Sequence, residues 1–159
     1  MSDFDNAIPL SLVPGSKALD RQSVLPPDDT TITFGMHGAL CDHYNYTPDV
    51  QMPGTLDFLV ASVGGCLIGT FAGSLRRARV RIEPEDLTAT AHGSIAPDEE
   101  GILVLSKITM AYRLRLDEAQ REAAEEVHAV HVGRCPNARS VMPAIEIDSG
   151  LEIVSLVSA

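Results

Sequence analysis

One run of residues limits what this chain can become. From Leu56 to Leu75 it reads LDFLVASVGGCLIGTFAGSL, twenty residues with a single charge, Asp57. That length matches a bilayer span, and Gly65, Gly69 and Gly73 repeat the G-x-x-x-G spacing of membrane dimers. Four glycines, Ser62, Thr70 and Ser74 stand against a membrane, as does a remainder that patterns as a soluble domain. The run is expected to be a central helix buried on most sides. Its small residues let a second backbone approach closely, from the same chain or from a second subunit. Thr55 is the expected N-cap, Asp57 suits the positive end of the helix dipole, and Arg76 and Arg77 suit the other end.

The rest of the chain narrows its partners. Its 159 residues fit one domain, residues 1–159. With 22 acidic and 12 basic side chains the formal charge is −10, which disfavours nucleic acid and an anionic membrane surface as partners. A hydrophobic content of 45% supplies a core. Four Phe, three Tyr and no Trp leave that core to Val, Leu, Ile and Ala. Three cysteines do not make a disulfide-dense secreted module. The start MSDFDNAIPL lacks the pattern of a signal peptide, so the expected compartment is a reducing cytoplasm.

Residues 1–30 read as an irregular arm broken by Pro9, Pro14, Pro26 and Pro27, with an edge strand over Leu19–Leu25. Thr30–Phe34 is a strand, and Ala39–Tyr46 is expected to pair back on it as a hairpin. Leu87–Ile95 is a further strand, followed by an acidic turn, Pro97–Gly101. The cleanest alternation runs over Ile102–Leu116. Ile108, Met110, Tyr112, Leu114 and Leu116 share one face of a half-buried antiparallel strand. Asp117 and Gln120 are spaced to cap a helix whose stripe is Leu116, Ala119, Ala123, Val127 and Val130. That helix breaks at Gly133. Pro136–Met142 is a short helix and Ile145–Val154 a strand interrupted at Ser149–Gly150. The class is α+β, with antiparallel signals in the majority.

The cysteines are the candidates for chemistry. Cys66, mid-run, reads as a buried hydrophobe unless a cation or donor folds against it, because apolar burial suppresses a thiolate. Gly64 and Gly65 before it thin the cover over the sulfur. Cys135 precedes Pro136 and so N-caps the short helix. Local physics makes it the more acidic thiol, with Arg134 beside it. Cys41 and His43 form a Cys-x-His pair, a weak metal signal. His128, His131 and Cys135 would share one helical face if the helix ran unbroken, which leaves a zinc or iron site open as a reading. No phosphate loop, nucleophile elbow or H-E-x-x-H motif is present.

Two segments carry a resemblance. PGTLDFLVASVGGCLIGT (53–70) resembles the proline loop and cysteine-bearing long helix of the OsmC/Ohr family, the osmotically inducible and organic hydroperoxide resistance proteins. GRCPNARSV (133–141) is similar to its second motif, in which Cys-Pro opens a short helix. The resemblance implies an OsmC-like α+β fold, with antiparallel sheets around a long central helix in an intertwined homodimer. It implies a cofactor-free thiol peroxidase acting on organic hydroperoxides. Cys66 matches the peroxidatic cysteine and Cys135 the resolving one. An external dithiol, in the family often a lipoylated protein, would reduce the resulting disulfide. The family's N-terminal arginine falls on Arg21, the only arginine before residue 76. Its carboxylate, which holds that arginine, falls on Asp57. A small-molecule binding protein of the same fold without peroxidase activity is the alternative.

Overall fold

Pro9, Pro14, Pro26 and Pro27 disfavour a helix around them, and short strands, Leu10–Leu12 and Arg21–Leu25, lie among them. The computed structural model describes residues 6–17 and 20–156. Two units divide it, one ending at Phe58 and one beginning at Leu59.

In the first unit β1 (Leu10–Leu12), β2 (Arg21–Leu25) and β3 (Thr30–Phe34) form an antiparallel sheet in that order. Arg21 stands opposite Phe34 and Ser23 opposite Ile32. β2 is therefore the central strand, where the sequence suggested an edge; Leu19 lies outside the described residues. Its second neighbour went unseen because β1 has only three residues, all exposed, and no buried face to set a period. The expected hairpin over 39–46 is a short helix instead, α1 (Ala39–His43). Gly38 turns the chain at φ 51°, a conformation that suits glycine. The Tyr44 amide then bonds back to the Leu40 carbonyl at 3.1 Å. The chain rejoins β3 further on, where the Gly35 amide donates to the Pro53 carbonyl at 3.0 Å.

The long apolar run is α2 (Thr55–Arg77). Gly54, not Thr55, precedes its first turn, and Asp57 reaches back to accept the Gly54 amide at 2.6 Å. A side chain at 54 would meet Leu40, whose Cδ1 is 3.0 Å from where a Cβ would sit. By length and composition α2 is apolar enough to cross a bilayer.

In the second unit Val63, Leu67, Phe71 and Leu75 put one α2 face into the core. That face packs on β4 (Leu87–Pro97) and β5 (Leu103–Leu116), an antiparallel pair with a bulge at Ser94/Ile95. Ile108, Met110, Tyr112, Leu114 and Leu116 are all buried, as the alternation requires. Each large apolar side chain removed from water contributes about 1.5–3 kcal/mol. Contact is close: a Cβ on Gly64 would lie 2.9 Å from the Ala91 Cβ. The opposite face is open, with Ala61, Gly65 and Gly69 exposed. Within this unit α2 is thus covered on one side, not on most sides.

Beyond β5, Asp117 accepts the Ala119 amide and caps a 3-10 turn, Glu118–Gln120, before α3 (Arg121–His131) begins. The tighter turn rotates the helix away from the expected stripe. Ala124 and His131 are buried, while Val130 is exposed. The Gln120 side-chain Nε2 donates to the Arg79 carbonyl at 3.5 Å and does not complete a capping box. After a 3-10 turn at Val132–Arg134 comes α4 (Pro136–Val141), then β6 (Glu146–Ser155). β6 pairs with β5 in parallel, so this sheet is mixed, and antiparallel pairing holds in the majority of strand pairs, as the sequence signals indicated. The helical crossover through α3 and α4 makes the parallel return possible. Ser149–Gly150 does not interrupt β6, because Gly150 takes an exposed position opposite Ala111.

Candidate active site

Ser62, Cys66 and Thr70 stand one turn apart on α2, at the i, i+4, i+8 spacing that stacks side chains in a column. The first turn of α4 lies along that column. Cys135 caps α4, its sulfur accepting the Ala138 amide at 3.5 Å. The same sulfur neighbours the Cys66 and Thr70 side chains, both of which act on its acidity. Two residues further on, Asn137 Nδ2 donates to the Ser62 carbonyl at 3.1 Å and to the Ser62 hydroxyl at 3.0 Å. Both thiols are reduced. Cys66 is half-buried and Cys135 is 0% exposed.

That burial reverses one expectation. The helix start does offer Cys135 an amide, which favours the thiolate. Desolvation outweighs it and pushes the thiol above its ordinary value, with the neighbouring Cys66 adding to the rise. Cys135 is a thiol held protonated, not the acidic one that its position alone suggests.

Beside Cys135 lies an aromatic cluster. Phe71, Tyr112, His128 and His131 stack with centroids 5.0–5.7 Å apart. His131 Nδ1 is 2.7 Å from the His128 carbonyl, which can only accept, so Nδ1 carries the hydrogen. Nε2 then accepts from the Tyr112 hydroxyl at 3.0 Å. Desolvation lowers the pKa of both histidines and raises that of Tyr112. Among the described residues no three His, Cys, Asp or Glu side chains gather as metal ligands. The His128 and His131 rings pack on each other. Cys41 is buried in α1, and the His43 ring packs edge-on against Tyr44.

The first unit places the other two candidates. Arg21 donates from Nη2 to the Gly35 carbonyl at 3.2 Å, and its Nε is buried without a partner among the described residues. Among the described residues no hydrogen bond or ion pair joins Asp57 to Arg21. Asp57 Oδ2 takes the Gly54 amide and lies 2.7 Å from His37 Nε2. His37 was not legible as a partner, since it sits in a loop between Gly35 and Gly38 with no periodicity around it. Asn137 was missed too. Ser62 and Thr70 are spaced by four from Cys66 on either side, which was a usable signal.

A groove of about 950 Å³ runs along the C-terminal half of the open α2 face. Ile68, Gly69 and Ala72 floor it, and Arg76, Arg79 and Arg81 line its edge.

A family model described as an OsmC-like protein matches residues 49–150. No curated protein matches the chain. Several solved structures share its fold. An OsmC-like protein from Mycoplasma pneumoniae is 16% identical, with a TM-score of 0.70 over 96% of this chain and 99% of that one. An OsmC-like protein of unknown function from Vibrio cholerae is 13% identical, with a TM-score of 0.71 over 96% and 100%. The organic hydroperoxide resistance protein OhrB of Bacillus subtilis is 15% identical, with a TM-score of 0.64 over 92% and 98%.

Proposed function

The chain belongs to the OsmC-like protein family, and from that membership we propose that it is a cysteine-based peroxidase that reduces organic hydroperoxides. The observation that carries this reading is the pair of free, neighbouring thiols, one half-buried and one fully buried. The Cys66 thiolate attacks the outer oxygen of the hydroperoxide. A sulfur–oxygen bond forms, the O–O bond breaks, and the alkoxide takes a proton and leaves as the alcohol. Cys66 is then a sulfenic acid. Cys135 attacks its sulfur, water leaves, and a disulfide forms. An external dithiol returns both thiols, and a lipoylated protein supplies that chemistry. Apolar side chains along α2 favour an organic peroxide over hydrogen peroxide.

Arg21 is assigned to stabilise the thiolate, for which its unpartnered buried Nε leaves a donor. Asp57, the only carboxylate in the first turn of α2, is assigned the part of the carboxylate that supports that arginine. No cofactor takes part. A reducing cytoplasm suits two thiols that must cycle. The open stripe of Ala61, Gly65 and Gly69 suits a second copy of the chain, so the working form is a homodimer. Sedimentation at twice the 17.0 kDa chain mass is expected, and a single-chain mass at micromolar concentration contradicts it.

Cumene hydroperoxide tests the activity. Cys66→Ser is expected to abolish peroxide consumption, and Cys135→Ser to allow one turnover and then stall. Unchanged turnover in either variant overturns the assignment. A reduced protein that loses no thiol to stoichiometric peroxide is instead the binding protein of the alternative reading.

A further inference from the structure

We propose that Asn137 is a positioning residue for disulfide formation, holding the Cys135 sulfur over Cys66 through its two hydrogen bonds to Ser62. The inference rests on the pairing of Cys66 with Cys135 proposed above, and it concerns the second chemical step rather than the first.

The reasoning begins with α4. It has six residues, and a helix that short has almost no stability of its own. Something outside it must fix where its first turn points. Its N-terminal neighbour is a 3-10 turn, Val132–Arg134, and Gly133 and Arg134 there are exposed. Ala138 is buried and anchors the helix by packing, but a methyl group sets no direction. Asn137 does set one. A single Nδ2 spends both hydrogens on one residue, Ser62, at 3.1 Å on the carbonyl and 3.0 Å on the hydroxyl.

Ser62 is four residues before Cys66. In an α-helix the carbonyl of residue i accepts the amide of residue i+4. The carbonyl that Asn137 grips is thus the acceptor for the Cys66 amide itself. The clamp therefore indexes α4 to the turn of α2 that carries the attacked sulfur. The Cys135 side chain then neighbours both Cys66 and Thr70, the next step along the column.

The chemistry requires such a device. In resolution the Cys135 sulfur bonds to the Cys66 sulfur as water leaves, and the rate scales with the fraction of time the two sulfurs are in line. Cys135 is buried and held protonated, so frequent correct alignment offsets a scarce thiolate. Asn137 touches neither sulfur nor substrate. It acts through the placement of Cys135.

The test separates this inference from the peroxidase reading by using no peroxide in its first arm. Oxidised glutathione converts the two thiols to the Cys66–Cys135 disulfide and yields two molecules of reduced glutathione. The equilibrium gives the effective concentration of one thiol at the other. Asn137→Ala is expected to lower it about tenfold, the scale of two lost hydrogen bonds. Asn137→Asp keeps the shape, removes the donor and should fall as far. Ser62→Ala keeps the carbonyl bond and should stay within about threefold of wild type. Circular dichroism and thermal midpoints establish that each variant is folded. A second arm uses cumene hydroperoxide and follows thiolate loss separately from disulfide formation by quenched-flow alkylation. The first step should be unchanged in Asn137→Ala and the second slowed by the same factor. An Asn137→Ala effective concentration within threefold of wild type overturns the inference, whatever the peroxide arm gives. So does a variant in which both steps slow equally.

Discussion

Cys135 caps α4 with its sulfur against the Ala138 amide, an arrangement that by itself favours the thiolate. Burial decides otherwise, and the contrast with half-buried Cys66 makes a prediction at the scale of single residues. Iodoacetamide added to the reduced native protein should label Cys66 at least about tenfold faster than Cys135, because both access and thiolate fraction control alkylation. Peptide mass spectrometry reads the order. Equal rates, or Cys135 first, contradict the environments described. Both cysteines were legible in the sequence as candidates. The acidity of Cys135 was not, because a cap is a local feature while burial is set by residues such as Phe71 and Tyr112, distant along the chain. His37 was hidden for the same reason, since only folding brings it to Asp57 across twenty positions of sequence.

At the scale of elements, legibility followed period. β5 alternates, so its buried face could be read directly, and α2 announced itself by its apolar length. α1 has five residues, too few for a period, and its sequence reads equally well as a strand. The parallel docking of β6 depends on where α3 and α4 deliver the chain, which no local pattern records. The fit between α2 and the β4–β5 pair has a measurable cost if disturbed. A Cβ on Gly93 would fall 2.5 Å from the Val60 Cγ2 and 3.0 Å from the Leu105 Cδ1. Val60 is β-branched and has little freedom to turn aside on a helix. Gly93→Ala is expected to cost about 1–3 kcal/mol by overpacking. Adding Val60→Ala should recover part of it. Urea midpoints of the two variants check both statements, and a Gly93→Ala protein as stable as wild type refutes the packing described.

For the whole molecule, the buried histidine pair couples stability to acidity. The unfolded chain protonates both imidazoles near the ordinary value of about 6.5. Desolvation holds both below that value in the fold, and His131 already uses its Nδ1 hydrogen and its Nε2 lone pair. Tyr112 and Cys135, the other titratable groups beside them, stay neutral across this range because burial raises both. Below about pH 6.5 the unfolded state therefore binds protons that the folded state does not. Stability should fall with pH from there until the folded-state values are passed. Glu118, lowered to about 2 by Arg121 and Ser155, acts only in much stronger acid. Urea titrations between neutrality and mild acid isolate the histidines, and a midpoint that holds steady or rises on acidification contradicts the coupling.

Because β6 lies parallel to β5, the sheet cannot close by simple back-folding. The ten residues from Glu146 to Ser155 reach their berth only after α3 and α4 have swung across. Synthesis therefore delivers Cys66 long before its mate, and the mate before the strand that seals the layer. A nascent polypeptide halted short of Glu146 would own both sulfurs yet lack the last plank beside Tyr112, where Leu151 pairs.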